Sequence, residues 1–123
     1  MDNAVKSKWL SALRSGEYEQ EQGTLKAEGH CCLGVLCDVV DSGGWQEFGH
    51  HSYEYHYDGD SDVDVLPEAL VGDVGLEEQE PEVRVEDEHG REHWVELTVL
   101  NDGMGDWEAR SFEEIADLIE EQL

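Results

Sequence analysis

The chain has 123 residues, of which 32 are acidic and only 7 are lysine or arginine, so the formal net charge is −25 at pH 7. This sign is opposite to what binding of nucleic-acid phosphates or of an anionic membrane surface requires, so we expect neither partner. The length suits one domain, residues 1–123, with a modest hydrophobic core.

The first third of the chain predicts an amphipathic helix, a short strand and a buried helix. Residues 2–16 begin with an Asp-Asn cap, carry apolar residues at helical spacing and end at Ser-Gly, which predicts an amphipathic helix. Residues 24–28 alternate like a short strand. Residues 30–40 form the only long apolar run, and the Asp-Ser-Gly-Gly that follows predicts a helix buried at the centre of the core.

The middle of the chain predicts a strand, a loop and a short helix. Aromatic residues alternate with polar ones in the second half of residues 45–57, which is typical of a strand with one half-buried face. Residues 58–64 predict an acidic loop. Residues 66–72 predict a short helix, with proline at its start and glycine at its end.

The last third predicts a hairpin and a final helix. Val83 and Val85 lead into a turn at residues 87–90, and a second strand follows with alternating faces. Its predicted faces carry Val95, Leu97 and Val99 on one side, and Trp94, Glu96 and Thr98 on the other. Residues 100–103 should end the strand, and the capping box Ser111-x-x-Glu114 opens a helix.

These elements predict an α+β fold. We expect a small antiparallel sheet of about three to five strands, packed by about four helices around the buried central helix.

Several short sequence blocks, taken together and in their order along the chain, resemble those of a known group of proteins. They are Trp9 to Gln20, Gly23-x-Leu25, Cys31-Cys32-Leu33-Gly34-Val35-Leu36-Cys37-Asp38, Leu66-Pro67, Leu100-Asn101-Asp102 and Ser111 to Ile119. Together they resemble a family of small proteins encoded by tailed phages and prophages. The blocks span most of the chain but leave out residues 45–64, which look like a variable insert. The family carries no assigned catalytic residues, so the resemblance transfers none.

Two explanations of the acidity compete. Adaptation to molar salt predicts carboxylates on every surface, since the Debye length falls to about 3 Å at 1 M salt. A DNA mimic predicts rows of carboxylates on one face. Acidic residues recur from Glu17 to Glu121, which favours salt adaptation. Combined with the resemblance, this implies a virus or provirus of a haloarchaeon. With no signal peptide and no apolar stretch of transmembrane length, we expect the host cytoplasm, or the virion, as its location.

The three cysteines are candidates for metal binding or for thiol chemistry. A metal set would combine His30, Cys31, Cys32 and Cys37, with further histidines available at His50, His51 and His56. The spacing C-x4-C without a second pair is not typical of structural zinc, so we favour cysteines buried as small core residues and expect no metal or cofactor. A thiol enzyme would use Cys31 or Cys32 near a helix N-terminus, with His93 as base.

A calcium loop is also a weak candidate. Asp58-x-Asp60-x-Asp62 resembles the start of such a loop, but Val63 stands where glycine is required and Ala69 where glutamate is required. A solvated acidic loop is therefore the favoured interpretation.

Six polar residues form the predicted ligand- or partner-binding set, five of them within the family-like blocks and one, His30, directly before the cysteine block. They are Arg14, Tyr18, Gln20, His30, Asn101 and Asp102. Turn chemistry explains Asn101-Asp102-Gly103 equally well. The aromatic residues Trp45, Tyr53, Tyr55 and Tyr57 suit either stacking on a ligand or packing in the core.

The expected function is non-catalytic binding of a host protein or a small ligand by a viral accessory protein, with counter-defence as one role. The alternatives are a minor virion component, a DNA-mimic inhibitor and a thiol-dependent enzyme.

Overall fold

The computed structural model describes residues 1–123 and confirms the α+β fold class. Its five helices are α1 (Asn3–Arg14), α2 (Cys32–Val40), α3 (Glu68–Asp73), α4 (Leu97–Asp102) and α5 (Phe112–Gln122). A three-stranded antiparallel sheet, sheet A, has the order β1 (Gly44–Glu47), β2 (Tyr53–Tyr57) and β3 (Asp60–Asp62). Sheet B is the hairpin β4 (Glu82–Glu86) and β5 (Glu92–Glu96). None of the helices has both the length and the apolar character that crossing a membrane requires.

The predicted central helix is confirmed as α2. All residues from Cys32 to Cys37 are buried, and α1 and α4 pack on this helix. Trp9 of α1 is fully buried and its Nε1 donates a hydrogen bond to the Cys32 carbonyl oxygen over 2.9 Å. Gly34 lies directly against the backbone of Leu25, where an added Cβ would overlap the carbonyl oxygen and come within 2.8 Å of the carbonyl carbon. The close approach explains glycine at this buried helical position.

The predicted strand at residues 24–28 is wrong. Lys26 makes only isolated bridges, to His30 and to Tyr53, and the residues around it belong to no ladder. The reason is that Leu25 divides its backbone bonds between separate segments, donating to the Val63 carbonyl and accepting from the Cys31 amide. A segment with such dispersed partners is anchored without forming a strand.

Sheet A differs from the two predictions that fall on it. The predicted strand over residues 45–57 is two strands, β1 and β2, joined by residues 48–52. The predicted acidic loop contains β3, which pairs with β2 across a tight turn at Asp58 and Gly59, both with positive φ. Asp-Gly is a strong signal for such a turn, and the acidity of the neighbouring residues obscured it.

The second strand of the predicted hairpin is too long. It ends at Glu96, and residues 97–102 form helix α4. Leu97, Leu100 and Asn101 are buried at helical spacing, so the apparent alternation through Val99 was accidental. The predicted break at residues 100–103 is the last turn of this helix, which Gly103 ends with a positive φ of 73°.

The terminal helices follow their predicted caps. The Asp2 side chain accepts a hydrogen bond from the Val5 amide at the start of α1, and Ser111 and Glu114 form the predicted capping box of α5. Near the end of α5, the Gln122 side chain accepts from the Arg84 amide over 2.6 Å and donates to the Arg84 carbonyl over 2.8 Å. This pair docks α5 on the edge of β4.

Candidate functional site

Asn101 lies at the centre of a fully bonded internal network. Its side chain is completely buried. The Oδ1 atom accepts from the Cys32 amide over 3.1 Å and from Gln20 Nε2 over 3.0 Å. The Nδ2 group donates to the Glu21 carbonyl over 2.7 Å and to Asp102 Oδ1 over 2.9 Å. Because an asparagine amide offers two donors and two lone pairs, every hydrogen-bonding position of Asn101 is used inside the protein.

Gln20 and Asp102 extend this network. Gln20 Nε2 also donates to the Arg110 carbonyl over 2.8 Å, and Asp102 Oδ1 accepts from the Gly23 amide over 3.1 Å. These three residues of the predicted binding set therefore join α4, the N-terminus of α2 and the connection after α1. Asn101 is not accessible to a partner.

Tyr18 and His30 belong to a second group, which we call the aromatic cluster: Tyr18, Lys26, His30, Asp38, Trp45 and Tyr53. Tyr18 Oη donates to Asp38 Oδ2 over 2.5 Å, and Trp45 Nε1 donates to Asp38 Oδ1 over 3.2 Å. The His30 ring lies edge-on to Tyr18 and to Trp45, with centroids 5.1 and 5.8 Å apart. Lys26 Nζ lies 5.2 Å from the centroid of the Trp45 ring.

The pKa values of Tyr18, His30 and Asp38 determine the protonation states in the aromatic cluster. Burial, helped by the bond to Asp38, raises the pKa of Tyr18 to about 12. Burial lowers the pKa of His30, and the nearby Asp38 carboxylate raises it by a smaller amount. Burial alone would raise the pKa of Asp38, but the hydrogen bonds from Tyr18 and Trp45 outweigh it and hold that pKa below its usual value. At neutral pH the cluster therefore contains a carboxylate that is already hydrogen-bonded, a neutral imidazole and a protonated phenol.

The aromatic cluster joins sheet A to the rest of the fold. Trp45 and Tyr53 come from β1 and β2, whereas Tyr18, Lys26 and Asp38 come from outside the sheet. The Tyr53 amide donates to the Lys26 carbonyl over 3.0 Å at the same place. Packing and the bonds to Asp38 account for Tyr18 and Trp45, whereas the buried Nε2 atom of His30 has no hydrogen-bond partner within the protein.

Arg14 lies apart from both networks. Its guanidinium contacts Asp117 over 2.7 Å and Glu120 over 2.8 Å, and so connects the end of α1 to α5. Of the six predicted residues, the structure thus brings Gln20, Asn101 and Asp102 together, pairs Tyr18 with His30, and separates Arg14. For the five other than the buried Asn101, direct contact with a ligand or partner stays a prediction.

The cysteines are buried, with Cys31 3% exposed and Cys32 and Cys37 fully covered. Burial raises the pKa of Cys31 to about 11 and raises those of Cys32 and Cys37 well above the usual thiol value. His93, the residue considered as a base, hydrogen-bonds Asp87 over 2.8 Å at the hairpin. These positions give no activated thiolate at neutral pH.

Stability should fall at alkaline pH because of these thiols. The contribution of Cys31 should be complete below about pH 9 and lost as the pH rises through about 11, since the unfolded chain releases the thiol proton first. Urea unfolding over this range should show the decline, and a thiol reagent at neutral pH should react only on unfolding. Rapid reaction of the folded protein would contradict the burial.

Possible cation ligands are used in other ways. No group of three or more histidine, cysteine, aspartate or glutamate side chains is arranged to hold a metal ion. Asp62 Oδ1 accepts from the amides of Val63, Asp64 and Val65, and Asp60 Oδ2 accepts from the Ala69 amide at the start of α3. The acidic segment therefore binds its own backbone.

The outward side of sheet B is the most unusual surface, and we call it the hairpin face. Because side chains alternate along a strand, its six residues are those opposite the buried valines. They are Glu82, Arg84 and Glu86 of β4 with Glu92, Trp94 and Glu96 of β5. Trp94 is 64% exposed. Large apolar side chains so exposed on an ordered strand are typical of interaction sites when they lie beside a groove.

The register of the hairpin places like charges opposite one another. Glu82 pairs with Glu96 and Glu86 pairs with Glu92, while Arg84 pairs with Trp94 between them. Like charges directly opposite one another destabilise a sheet. Four carboxylates thus surround one arginine and one tryptophan at a cost to the fold.

An open groove of about 720 Å³ adjoins the hairpin face. Trp94, Arg84 and Glu82 of the hairpin face line this groove. Leu76, Glu77, Glu78 and Glu121 line it as well. The volume lies within the range of ligand and peptide sites, and the walls combine apolar surface with an excess of carboxylates.

The sequence prediction missed this site although a signal was present. The alternation of the second hairpin strand already places Trp94 outward, among glutamates. A tryptophan on the polar side of a strand is unexpected for a packing residue. The groove itself depends on how α5 and the connection after α3 meet the hairpin, which no local pattern reports.

Comparison with known proteins identifies a family. The model of the family described as Domain of unknown function (DUF8296) matches residues 1–123. No curated protein and no solved structure matches the chain.

Proposed function

The chain belongs to the DUF8296 family, and from that premise we propose that it is a non-catalytic binding protein whose partner is another protein. The observation that carries the proposal is the hairpin face, where an exposed Trp94 lies among four glutamates beside a groove. Tryptophan is the residue type most enriched at the energetic centres of protein interfaces. The opposed glutamate pairs of this face destabilise the fold, and its tryptophan is exposed. Binding of a partner protein at this face explains both features.

Binding is preferred over thiol catalysis because of the cysteines. Their burial and raised pKa values leave the thiol protonated, whereas a nucleophile must be an accessible thiolate. The aromatic cluster likewise holds its carboxylate in hydrogen bonds to Tyr18 and Trp45.

In this proposal the protein is a viral accessory factor acting in the host cell, and counter-defence is one role it would serve. The support is the motif resemblance to proteins of tailed phages and prophages. A minor virion component is the alternative, and mass spectrometry of purified virions separates the two. Finding the protein at a fixed copy number in virions would replace the accessory role.

A salt-rich cell is part of the same proposal. Exposed carboxylates lie on both sheets, on α3 and α5 and in the connecting loops, and none of the 32 acidic residues is buried. This spread supports salt adaptation over DNA mimicry, which needs carboxylates arranged in rows on one face.

Folding should therefore depend on salt. The net charge of −25 acts over a Debye length of about 10 Å at 0.1 M salt but only about 3 Å at 1 M. We expect the melting temperature to rise by on the order of 10 °C or more between these concentrations of KCl. An unchanged melting temperature would contradict salt adaptation and restore DNA mimicry.

The binding proposal is tested by capture of partners from host cells in molar KCl. Three baits are compared: the wild type, Trp94→Ala, and the control Phe48→Ala. Phe48 is 53% exposed but follows β1 of sheet A and is not one of the residues of the hairpin face or its groove. We expect the wild type and the Phe48 variant to recover the same partner and the Trp94 variant to lose it. Equal recovery by three folded baits would remove the hairpin face from the proposal.

A further inference from the structure

We infer that the hairpin face binds an arginine-bearing extended segment of the partner protein, and that Arg84 occupies the place of the partner's arginine in the free protein. The inference rests on the proposed function and names the chemistry that the same face recognises.

Arg84 already shows how the face holds a guanidinium. Its Cζ lies 5.8 Å from the centroid of the Trp94 ring, and one of its Nη atoms lies 3.9 Å from Glu92 Oε2. Cation–π contact and carboxylate pairing are the two interactions that favour arginine over lysine, because a planar guanidinium both stacks and forms paired hydrogen bonds.

The contact of Arg84 is loose. The ion-pair distance is at the outer limit for such a contact, and the side chains of Arg84 and Glu92 are 55% and 61% exposed. An exposed pair of this kind contributes little to stability. A partner can therefore displace the Arg84 side chain at small cost, while the Arg84 backbone remains bonded to Gln122.

The charges on this surface are unbalanced. Arg84 is the one cation among the six residues of the hairpin face, which also holds four glutamates. The adjoining groove adds Glu77, Glu78 and Glu121. A cationic segment would relieve the repulsion between the opposed pairs, whereas an anionic segment or a nucleic acid would increase it.

The shape suits an extended segment. The groove is open, and three residues of the hairpin face, Glu82, Arg84 and Trp94, line it, so a segment that contacts the face can continue into the groove. Arginines at alternate positions of an extended chain project from the same side. One such side chain can stack on Trp94 while its neighbours meet the carboxylates on either side.

The test measures the affinity of labelled peptides in molar KCl by fluorescence anisotropy. The probes are a peptide with arginine at alternate positions and the same peptide with lysine or glutamate instead. The proteins are the wild type, Arg84→Ala, Arg84→Gln and Trp94→Ala, each checked for its fold by circular dichroism.

We expect the wild type to prefer the arginine peptide. Both Arg84 variants should bind it about tenfold more tightly, because the internal competitor is gone, and Trp94→Ala should bind it at least about tenfold more weakly. Weaker binding by the Arg84 variants, equal affinity for the lysine peptide, or preference for the glutamate peptide would each overturn the inference. If no peptide binds while Trp94→Ala still loses the cellular partner, this inference fails and the proposed function stands.

Discussion

Replacing Gly34 with alanine should cost about 3 kcal/mol or more of unfolding free energy. The added Cβ would overlap the carbonyl oxygen of Leu25, which is backbone and cannot rotate away. Leu25 is itself fully buried and bonded to Val63 and Cys31, so relief requires that α2 or this segment shift. Urea denaturation in molar KCl measures the loss.

The matched control is Gly72→Ala. Gly72 is also inside a helix, α3, but nothing lies within 4 Å of its added Cβ. Alanine lowers the entropy of the unfolded chain and favours the helix, so this variant should gain up to about 1 kcal/mol. If both glycine variants lose the same stability, the close packing of α2 on Leu25 is refuted.

Replacing Asn101 with alanine should cost about 3 kcal/mol. The change leaves the Cys32 amide and the Glu21 carbonyl without their side-chain partner in the interior, and each unsatisfied buried group costs about 1–3 kcal/mol. The Gln20 side chain loses a partner as well. Equilibrium unfolding measures the loss of global stability, and hydrogen exchange of the Cys32 amide measures the local loss of its hydrogen bond.

Asn3→Ala provides the comparison, because Asn3 is exposed in the first turn of α1. Its change in stability should stay within about 0.5 kcal/mol. Should Asn101→Ala be equally mild, and lose partner capture while remaining fully folded, then Asn101 is a contact residue and the internal network is not its role.

Helices α1, α2 and α5 are predictable from sequence because their signals are local. Asp2, Ser111 and Glu114 form caps that depend on neighbours within three positions. Helix α4 is different. Its residues continue the alternation of β5, and the bond from the Leu97 amide to the Pro81 carbonyl still follows the register of the hairpin, so the helix is selected by burial of Leu97, Leu100 and Asn101 in the core.

The internal network could not be predicted, since its contacts join distant parts of the chain. Asn101 meets Cys32 across 69 positions and Glu21 across 80. The sequence Asn101-Asp102-Gly103 looks like a turn when such partners are unknown. The predicted binding set combined residues that the structure divides among the internal network, the aromatic cluster and, for Arg14, the contact with α5.

The hairpin face is predictable in part. Alternation shows that Trp94 points outward, but the opposed glutamate pairs depend on the register, which the turn between β4 and β5 determines. The groove requires α5 to dock on β4 through Gln122. The site could therefore be identified only from the three-dimensional structure.

The most direct test of partner binding at the hairpin face is photo-crosslinking in host cells. A photo-reactive amino acid replaces Glu86 on the hairpin face or, in a separate protein, the exposed Gln46 of β1. We expect position 86 to give a covalent adduct with a cellular protein that disappears when Trp94→Ala is added, and position 46 to give none. An adduct from position 46 with none from position 86 would contradict the account.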